Sequence, residues 1–262
     1  MKAGREFIHL ILDRFSLKGK SALVTGSSRG LGAAIAIAFA EASANVAVHG
    51  SRYAPAAMQQ KLQALGVESA ALVGDVGDAA VCACLVEETV QHFGSIDILV
   101  NNAGIIRRSA AADHSEEDWK AVIDVDLTSV FRLTQHAGRH MLKRGSGKII
   151  NIASLLTFQG GILVPSYAAA KGGVGQLTKA FANEWASKGV NVNAIAPGYM
   201  DTDNTEALRN NPERARQILE RIPAGRWGKP EDLAGAAVFL ASQASDYLHG
   251  HVLVVDGGWL NR

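Results

Sequence analysis

Three side chains in the middle of the chain could together move a proton. Ser154 follows an apolar run, 148–153, which predicts a buried strand that ends at the serine. A loop with Gly and Pro comes next, and a helix is predicted from about Ser166. Tyr167 and Lys171 are four residues apart on that helix, so both side chains project from one face. A hydroxyl, a phenol and an ammonium can exchange a proton at an alcohol, but a hydride carrier must come from elsewhere.

The phenol needs help to act as a base. A free tyrosine has a pKa near ~10, and lowering it by about three units takes about 4 kcal/mol at ~1.36 kcal/mol per unit. The Lys171 ammonium is one source of that preference for the phenolate. Tyr-x-x-x-Lys also occurs as an ordinary amphipathic pair. Ser154, thirteen residues before Tyr167 and directly after a buried strand, favours the catalytic interpretation.

The elements that would position these side chains alternate between strand and helix. The strands are apolar on both faces, which is typical of a parallel sheet covered on both sides. We therefore expect a single-domain, Rossmann-type α/β fold: a doubly wound parallel sheet of about seven strands with helices on both faces. Predicted strands are 21–25, 45–49, 69–73, 96–100, 148–152, 191–195 and 252–255, and predicted helices are 30–42, 54–65, 78–93, 117–143, 166–188, 206–221 and 231–242.

A glycine-rich turn joins the first strand to the first helix. Gly26, Gly30 and Gly32 would let the backbone approach a pyrophosphate at the helix N-terminus. The spacing is G-x-x-x-G-x-G, and such a turn alone can be only a tight turn. Its position at the first strand–helix junction of a seven-strand pattern favours dinucleotide binding. Ligands of such sheets bind beyond the carboxyl ends of the strands, and the other candidate residues follow strands too.

From about residue 15 to residue 262 the chain resembles the short-chain dehydrogenase/reductase family. The motifs that carry the resemblance occur in the family's order: TGSSRGLG, Asp75-Val76, NNAG at 101–104, Ser154, Tyr167-x-x-x-Lys171 and Pro197-Gly198. The resemblance implies that Tyr167 is the general acid/base and that Ser154 hydrogen-bonds the substrate oxygen. It also implies that Lys171 holds the ribose hydroxyls of a nicotinamide cofactor. We expect a dinucleotide-binding and catalytic domain at 15–262, preceded by an N-terminal arm at 1–14.

The resemblance also implies the cofactor site, and the second strand indicates which cofactor. An acidic residue after that strand would repel a 2′-phosphate, but Gly50, Ser51 and Arg52 stand there. NADP(H) is therefore favoured and NAD(H) remains possible, although Arg29 and Arg52 could also be plain surface charges. The expected cofactor residues are Gly26, Ser28, Arg29, Gly30, Leu31, Gly32, Ser51, Arg52, Asp75, Val76, Asn102, Ala103, Gly104, Tyr167, Lys171, Pro197, Gly198 and Thr202.

One position departs from the family pattern. The family commonly has Asn in the long helix before Ser154, where it supports a water chain to the lysine, and here Asp126 occupies that position. An ionised Asp accepts hydrogen bonds but cannot donate them. We retain Asp126 as a candidate catalytic residue and expect an altered proton relay.

Within the family, the chain is most similar to sugar-acid dehydrogenases that act on substrates such as 2-dehydro-3-deoxy-D-gluconate or gluconate. The segments NNAGIIRR, NIASLLTFQGG and RIPAGRWG carry this similarity, whereas Leu163 stands where that subgroup has Arg. A carboxylate substrate calls for an Arg, so the candidate substrate residues are Arg107, Gln159 and Asn204. Two alternatives stay open: a 3-oxoacyl-thioester reductase, which shares TGSSRG, and a non-catalytic dinucleotide-binding protein.

Composition limits the partners. The formal net charge of +1 offers no argument for nucleic acid or membrane. The family resemblance implies that the partner is a small keto or hydroxy substrate. Cys82 and Cys84, in a C-x-C pair on a predicted helix, point in different directions, and no metal site is expected. Two thiols without a disulfide framework suit a reducing cytoplasm. The family resemblance implies a homotetramer.

Overall fold

In the computed structural model, which describes residues 10–262, seven parallel strands form one sheet. Their order is β3-β2-β1-β4-β5-β6-β7, so the chain builds outward from β1 to β3 and then returns to the other side of β1. The reversal between β1 and β4 opens a crevice at the carboxyl ends of the strands. The strands are β1 Ser21–Val24, β2 Asn45–Gly50, β3 Ser69–Val73, β4 Ile98–Asn101, β5 Gly147–Ile152, β6 Val190–Pro197 and β7 Val252–Val255.

Helices cover both faces of the sheet, as the sequence predicts. Phe39 and Leu240 belong to the core on one face, and Leu85 and Met141 belong to the core on the other. The helices are α1 Gly30–Glu41, α2 Ala56–Gln63, α3 Ala79–Phe93, α4 Glu116–Ile123, α5 Ser129–Arg144, α6 Pro165–Trp185, α7 Glu206–Arg209, α8 Pro212–Arg221 and α9 Ala234–Ala241. Among residues 10–262, no helix is long and apolar enough to cross a membrane.

Two predicted helices differ from the observed ones. The stretch predicted as one helix at 117–143 contains a π-helical segment, Asp124–Thr128, between α4 and α5. The helix predicted at 206–221 is wrong as a single element, because it breaks into α7 and α8 before Pro212. Proline disfavours the helical conformation of the residue before it, and Asn211 is extended, with φ −99° and ψ 105°. The Asn211 side chain then caps α8 by accepting a hydrogen bond from Arg214 N at 3.0 Å.

Two further sequence predictions can be compared with the described residues. Cys82 is buried and Cys84 is exposed, as their spacing predicts. Residues 1–9 of the predicted arm lie outside the described residues. In the rest of the arm, Arg14 donates a hydrogen bond to Gln243 O at 3.0 Å, which ties this segment to the turn after α9.

Candidate active site

An open cavity of about 930 Å³ lies at the carboxyl ends of the strands. It extends from the glycine-rich turn after β1 to Tyr167, so it joins the predicted cofactor residues to the predicted catalytic residues. Gly32 and Gln159 do not line it. The predicted residues that do line it are Gly26, Ser28, Arg29, Gly30, Leu31, Ser51, Arg52, Asp75, Val76, Asn102, Ala103, Gly104, Arg107, Asp126, Ser154, Tyr167, Lys171, Pro197, Gly198, Thr202 and Asn204.

Ser154 and Tyr167 meet because a strand ends and a helix begins at the same side of the cavity. Ser154 lies two residues after the end of β5 and caps a short 3-10 turn, where its Oγ accepts a hydrogen bond from Leu156 N at 3.2 Å. Pro165 is the first residue of α6, so Tyr167 lies in the first turn of that helix. Burial raises the pKa of Tyr167, while the Lys171 ammonium and a hydrogen bond with Ser154 oppose the rise. Burial therefore outweighs the lowering of the pKa that the sequence leads us to expect from Lys171.

Lys171 is held in place from three directions. The residue is 4% exposed, and its Nζ donates a hydrogen bond to Ile152 O, at the end of β5, at 2.9 Å. The same Nζ lies 5.5 Å from the centre of the Tyr167 ring and 3.4 Å from Asp126 Oδ2. Because Lys171 is buried, little water screens its charge, and the ammonium can therefore stabilise the ionised form of the phenol.

Asp126 is a fully buried carboxylate at the back of the site. The π-helical segment carries it, and such segments are frequent at functional sites. Its Oδ1 accepts a hydrogen bond from Ile105 N at 2.8 Å, whereas Oδ2 has no hydrogen bond among the described residues and faces Lys171. Burial raises the pKa of Asp126, opposed by Lys171 and by the Ile105 N–H. A Cβ on Gly104 would lie 2.9 Å from Oδ2, so this approach requires glycine.

The glycine-rich turn is locked against the Asn-Asn-Ala-Gly segment after β4. Asn102 Nδ2 donates hydrogen bonds to Thr25 O at 2.8 Å and to Gly26 O at 3.0 Å. Gly26 has a φ of +63°, which favours glycine. A Cβ on Gly32 would lie 2.4 Å from the same Nδ2, so Gly32 acts by allowing close packing, not by lining the cavity.

The nucleotide end of the cavity suits a phosphate. β2 ends at Gly50, and the exposed Ser51 and Arg52 that follow line the cavity without a carboxylate among them. Arg29, at the start of α1, is exposed and paired with Asp203 across the cavity mouth. The N-terminal turn of α1 adds backbone N–H groups, which favour anions. These residues fit the phosphates of NADP(H).

At the substrate end, the two neighbouring arginines have different partners. Arg107 Nε lies 3.2 Å from Asp118 Oδ1 in α4, so its charge is compensated. Arg108 donates a hydrogen bond to Asn204 O at 3.2 Å, and its charge opposes the rise that burial causes in the pKa of Tyr167. Arg108 is therefore the arginine whose charge reaches the reacting group, although both line the cavity.

The segment between β6 and α8 forms part of the cavity wall. Thr202, Thr205 and Leu208 line the cavity from this segment. Its Asp203 pairs with Arg29, and its Asn204 backbone bonds to Arg108, so the segment contacts both ends of the cavity. Both contacts are exposed. A surface ion pair such as Arg29–Asp203 contributes only about 0–1 kcal/mol to stability.

Similarity to known proteins agrees with this geometry. A family model described as enoyl-(acyl carrier protein) reductase matches residues 26–260. A 2-dehydro-3-deoxy-D-gluconate 5-dehydrogenase of Bacillus subtilis is 54% identical over 250 residues, which are 95% of this chain and 98% of that protein. The chain belongs to the short-chain dehydrogenase/reductase family.

Two solved structures of this family resemble the chain over nearly its whole length. One, from Agrobacterium tumefaciens with bound NADP, is described provisionally as a 2-deoxy-D-gluconate 3-dehydrogenase. It is 54% identical, has a TM-score of 0.89, and the match covers 95% of this chain and 100% of that one. The other is a gluconate 5-dehydrogenase from Burkholderia cenocepacia in complex with NADP and tartrate. It is 41% identical, has a TM-score of 0.92, and the match covers 96% and 99% of the two chains.

Two residues of the site were missed from the sequence. The sequence prediction of a substrate arginine names Arg107 and not Arg108, because two adjacent arginines give no indication of which one pairs with another residue. The sequence predicts His49 only as part of the second strand, but its side chain lines the cavity and accepts a hydrogen bond from the glycine-rich turn. A titratable residue near the carboxyl end of a strand was the available signal.

Proposed function

We propose that this enzyme interconverts a secondary alcohol and a ketone on a sugar acid such as 2-dehydro-3-deoxy-D-gluconate, with NADP(H) as its cofactor. One observation carries the proposal: a single cavity joins the Ser154–Tyr167–Lys171 group to a nucleotide end with Arg29, Arg52 and no carboxylate after β2. The NADP bound by two relatives and the activities of the relatives support it.

The proposed mechanism assigns one task to each side chain. A bound NADP(H), held by the glycine-rich turn with Arg29 and Arg52, would supply the acceptor or donor of the hydride at the carbinol carbon. Tyr167 takes the hydroxyl proton during oxidation and returns it during reduction. Ser154 orients the substrate oxygen toward the phenol. Lys171 would stabilise the phenolate and would hold the ribose hydroxyls of the bound cofactor, and Asp126 positions Lys171 through the 3.4 Å ion pair.

Arg108 is the proposed partner of the substrate carboxylate. An arginine binds a carboxylate through two parallel hydrogen bonds, and Arg108 has no side-chain ion pair among residues 10–262. Arg107 is less suitable because Asp118 already compensates it. Asn204 would act through its backbone, whose carbonyl accepts from Arg108.

The two arginines provide a matched pair of variants. Arg108→Ala is expected to raise the KM for the sugar acid by about 10–100-fold, since a hydrogen bond to a charged group contributes about 1.5–3 kcal/mol. Arg107→Ala is expected to change that KM by less than about threefold, and neither variant should alter the KM for NADPH much. Steady-state kinetics of both variants measures this. A larger effect at Arg107 than at Arg108 would reverse the assignment.

The raised pKa of Tyr167 predicts a pH dependence with opposite signs in the two directions. Oxidation needs the phenolate, whose population grows as pH rises toward a pKa that burial holds above the ordinary value of 10.0. Reduction needs the neutral phenol, which is present throughout the neutral range. We expect kcat/KM for oxidation to rise with pH well past neutrality and that for reduction to fall only at alkaline pH. Profiles with the same slope in both directions would contradict this role for Tyr167.

Substrate and cofactor are best tested together. Purified enzyme is incubated with sugar acids and with 3-oxoacyl thioesters, each with NADPH or NADH or their oxidised forms, and the nicotinamide absorbance is followed. We expect turnover of a sugar acid with a preference for NADP(H). Turnover of acyl thioesters alone would favour the alternative reductase. Tight cofactor binding without turnover of any substrate would favour a non-catalytic role.

We further propose that the protein acts as a cytoplasmic homotetramer. Phe131 on α5 is 41% exposed and stacks on Phe181 of α6, with 6.0 Å between ring centres, so the two long helices present an aromatic pair on an outer surface. Small residues of α6 would allow another copy of the chain to approach closely. Light scattering of the purified protein tests the assembly, and a monomer at micromolar concentration would contradict it.

A further inference from the structure

His49, near the end of β2, is buried between two turns that line the cavity. The residue is 1% exposed. Its Nδ1 accepts a hydrogen bond from Gly26 N at 3.0 Å, and its Nε2 lies 2.9 Å from Gly74 O. A backbone nitrogen can only donate and a carbonyl oxygen can only accept, so Nε2 must carry the proton and Nδ1 must not. The two contacts together fix a neutral imidazole and its tautomer.

Both backbone partners of His49 belong to the nucleotide end of the cavity. Gly26 begins the glycine-rich turn, and Gly74 directly precedes Asp75. The backbone of His49 is fastened to the same turn, because its N–H donates to Ser27 Oγ and its carbonyl accepts from Ser27 N, both at 2.9 Å. Since β2 lies between β1 and β3 in the sheet, His49 connects the turn after β1 to the turn after β3.

We propose that His49 is a positioning residue for the nucleotide half of the cofactor, and that it holds the glycine-rich turn in its binding conformation only in the neutral form. The proposal rests on the proposed function in one respect, the binding of NADP(H) in this cavity. Its basis is that the His49 ring bonds both to Gly26, in the turn after β1, and to Gly74, in the turn after β3. Among the described residues, no other side chain bonds to both turns.

Protonation of His49 would place two donors against each other. Nδ1 would then carry a hydrogen that faces the Gly26 N–H, and that bond would be lost. Burial lowers the pKa of His49, opposed by the bond to Gly74 O and by the Asp75 carboxylate. Asp75, after β3, is the charged group that acts on His49, while Gly26 and Ser27, from the turn after β1, carry no charge. Cofactor affinity should therefore fall only when the pH drops below the ordinary histidine value of 6.5.

The test is a fluorescence titration of NADPH into the full-length protein from about pH 5 to about pH 8. His49→Phe fills the space but offers no acceptor to the buried Gly26 N–H. We expect its Kd for NADPH to rise roughly tenfold across the whole range, with a smaller fall in kcat at saturating NADPH. His49→Asn keeps an acceptor on the same side and cannot titrate. It should recover most of the affinity and lose the acid decline that the unaltered protein shows.

The outcomes separate this inference from the proposed function. If the unaltered protein does not bind NADPH at neutral pH, the proposed cofactor fails and the inference fails with it. If the unaltered protein binds NADPH but His49→Phe, folded by circular dichroism, binds it equally well, the inference alone is overturned. An acid decline of the same size and midpoint in His49→Asn would also overturn it, because that variant has no imidazole at position 49.

Discussion

Tyr167→Phe should lose about 10²–10⁴ of kcat and keep its affinity for NADPH, because it removes one oxygen that gives or takes the substrate proton. The aromatic ring remains, so its packing in the first turn of α6 and its contact with the Lys171 ammonium should persist. Steady-state turnover and NADPH titration, done on one preparation, measure the two effects separately.

Ser154→Ala is the matched comparison for this variant. It also removes a hydroxyl from the same side of the cavity, and in addition it removes the acceptor for Leu156 N. It should lower kcat and move the pH dependence of oxidation further toward alkaline pH, because burial raises the pKa of Tyr167 and the hydrogen bond with Ser154 opposes that rise. Near-normal turnover of Tyr167→Phe would contradict the assignment of Tyr167 as the acid/base, whatever Ser154→Ala does.

Lys171→Met should lower both activity and stability, because it leaves the Asp126 carboxylate buried without its counter-charge. Breaking a buried ion pair on one side costs about 3–5 kcal/mol. Loss of the ammonium also removes a stabilising charge from the phenolate, for which a fall in kcat on the order of 10²–10³ is reasonable. Thermal unfolding and turnover of the same sample check the two parts.

The Lys171→Met/Asp126→Asn double variant separates these two parts. It removes both buried charges, so it should recover most of the lost stability while activity stays low. In the single variant, burial raises the pKa of Asp126 above its value in the unfolded chain. The destabilisation should therefore be smallest at acid pH, where the folded protein holds the extra proton, and should grow as the pH rises through the folded pKa. A double variant as unstable as the single one would show that the ion pair is not the cause.

Much of the fold could be predicted because its determinants are local. Strand segments such as 22–24 and 98–100 are apolar at every position, which is typical of a sheet covered on both sides. The candidate residues follow strands, and all the parallel strands end at the same edge of the sheet. Candidate residues that are far apart in the sequence therefore lie close together at that edge. The break before Pro212 is not in the prediction of one helix at 206–221, although Asn-Asn-Pro at 210–212 was the available signal.

The parts that were missed depend on contacts between distant segments. Both arginines line the cavity, but Asp118, eleven residues after Arg107 in the sequence, pairs with Arg107, so Arg108 is the arginine whose charge acts on the phenol. The π-helical segment that aims Asp126 at Lys171 has no periodicity that distinguishes it from the helices around it. The role of His49 needs the turns after β1 and β3 to lie on either side of β2, which the order of the strands decides.

The most direct test of the central claim is the reaction itself. Purified enzyme is mixed with NADP⁺ and 2-dehydro-3-deoxy-D-gluconate at alkaline pH, and the formation of NADPH is followed with the Tyr167→Phe variant as control. The proposed function predicts NADPH formation that depends on the sugar acid, with the new carbonyl at the oxidised carbon detected by mass spectrometry, and almost none from the variant. No sugar-acid-dependent NADPH from an enzyme that binds NADP⁺, or equal rates from both proteins, would contradict it.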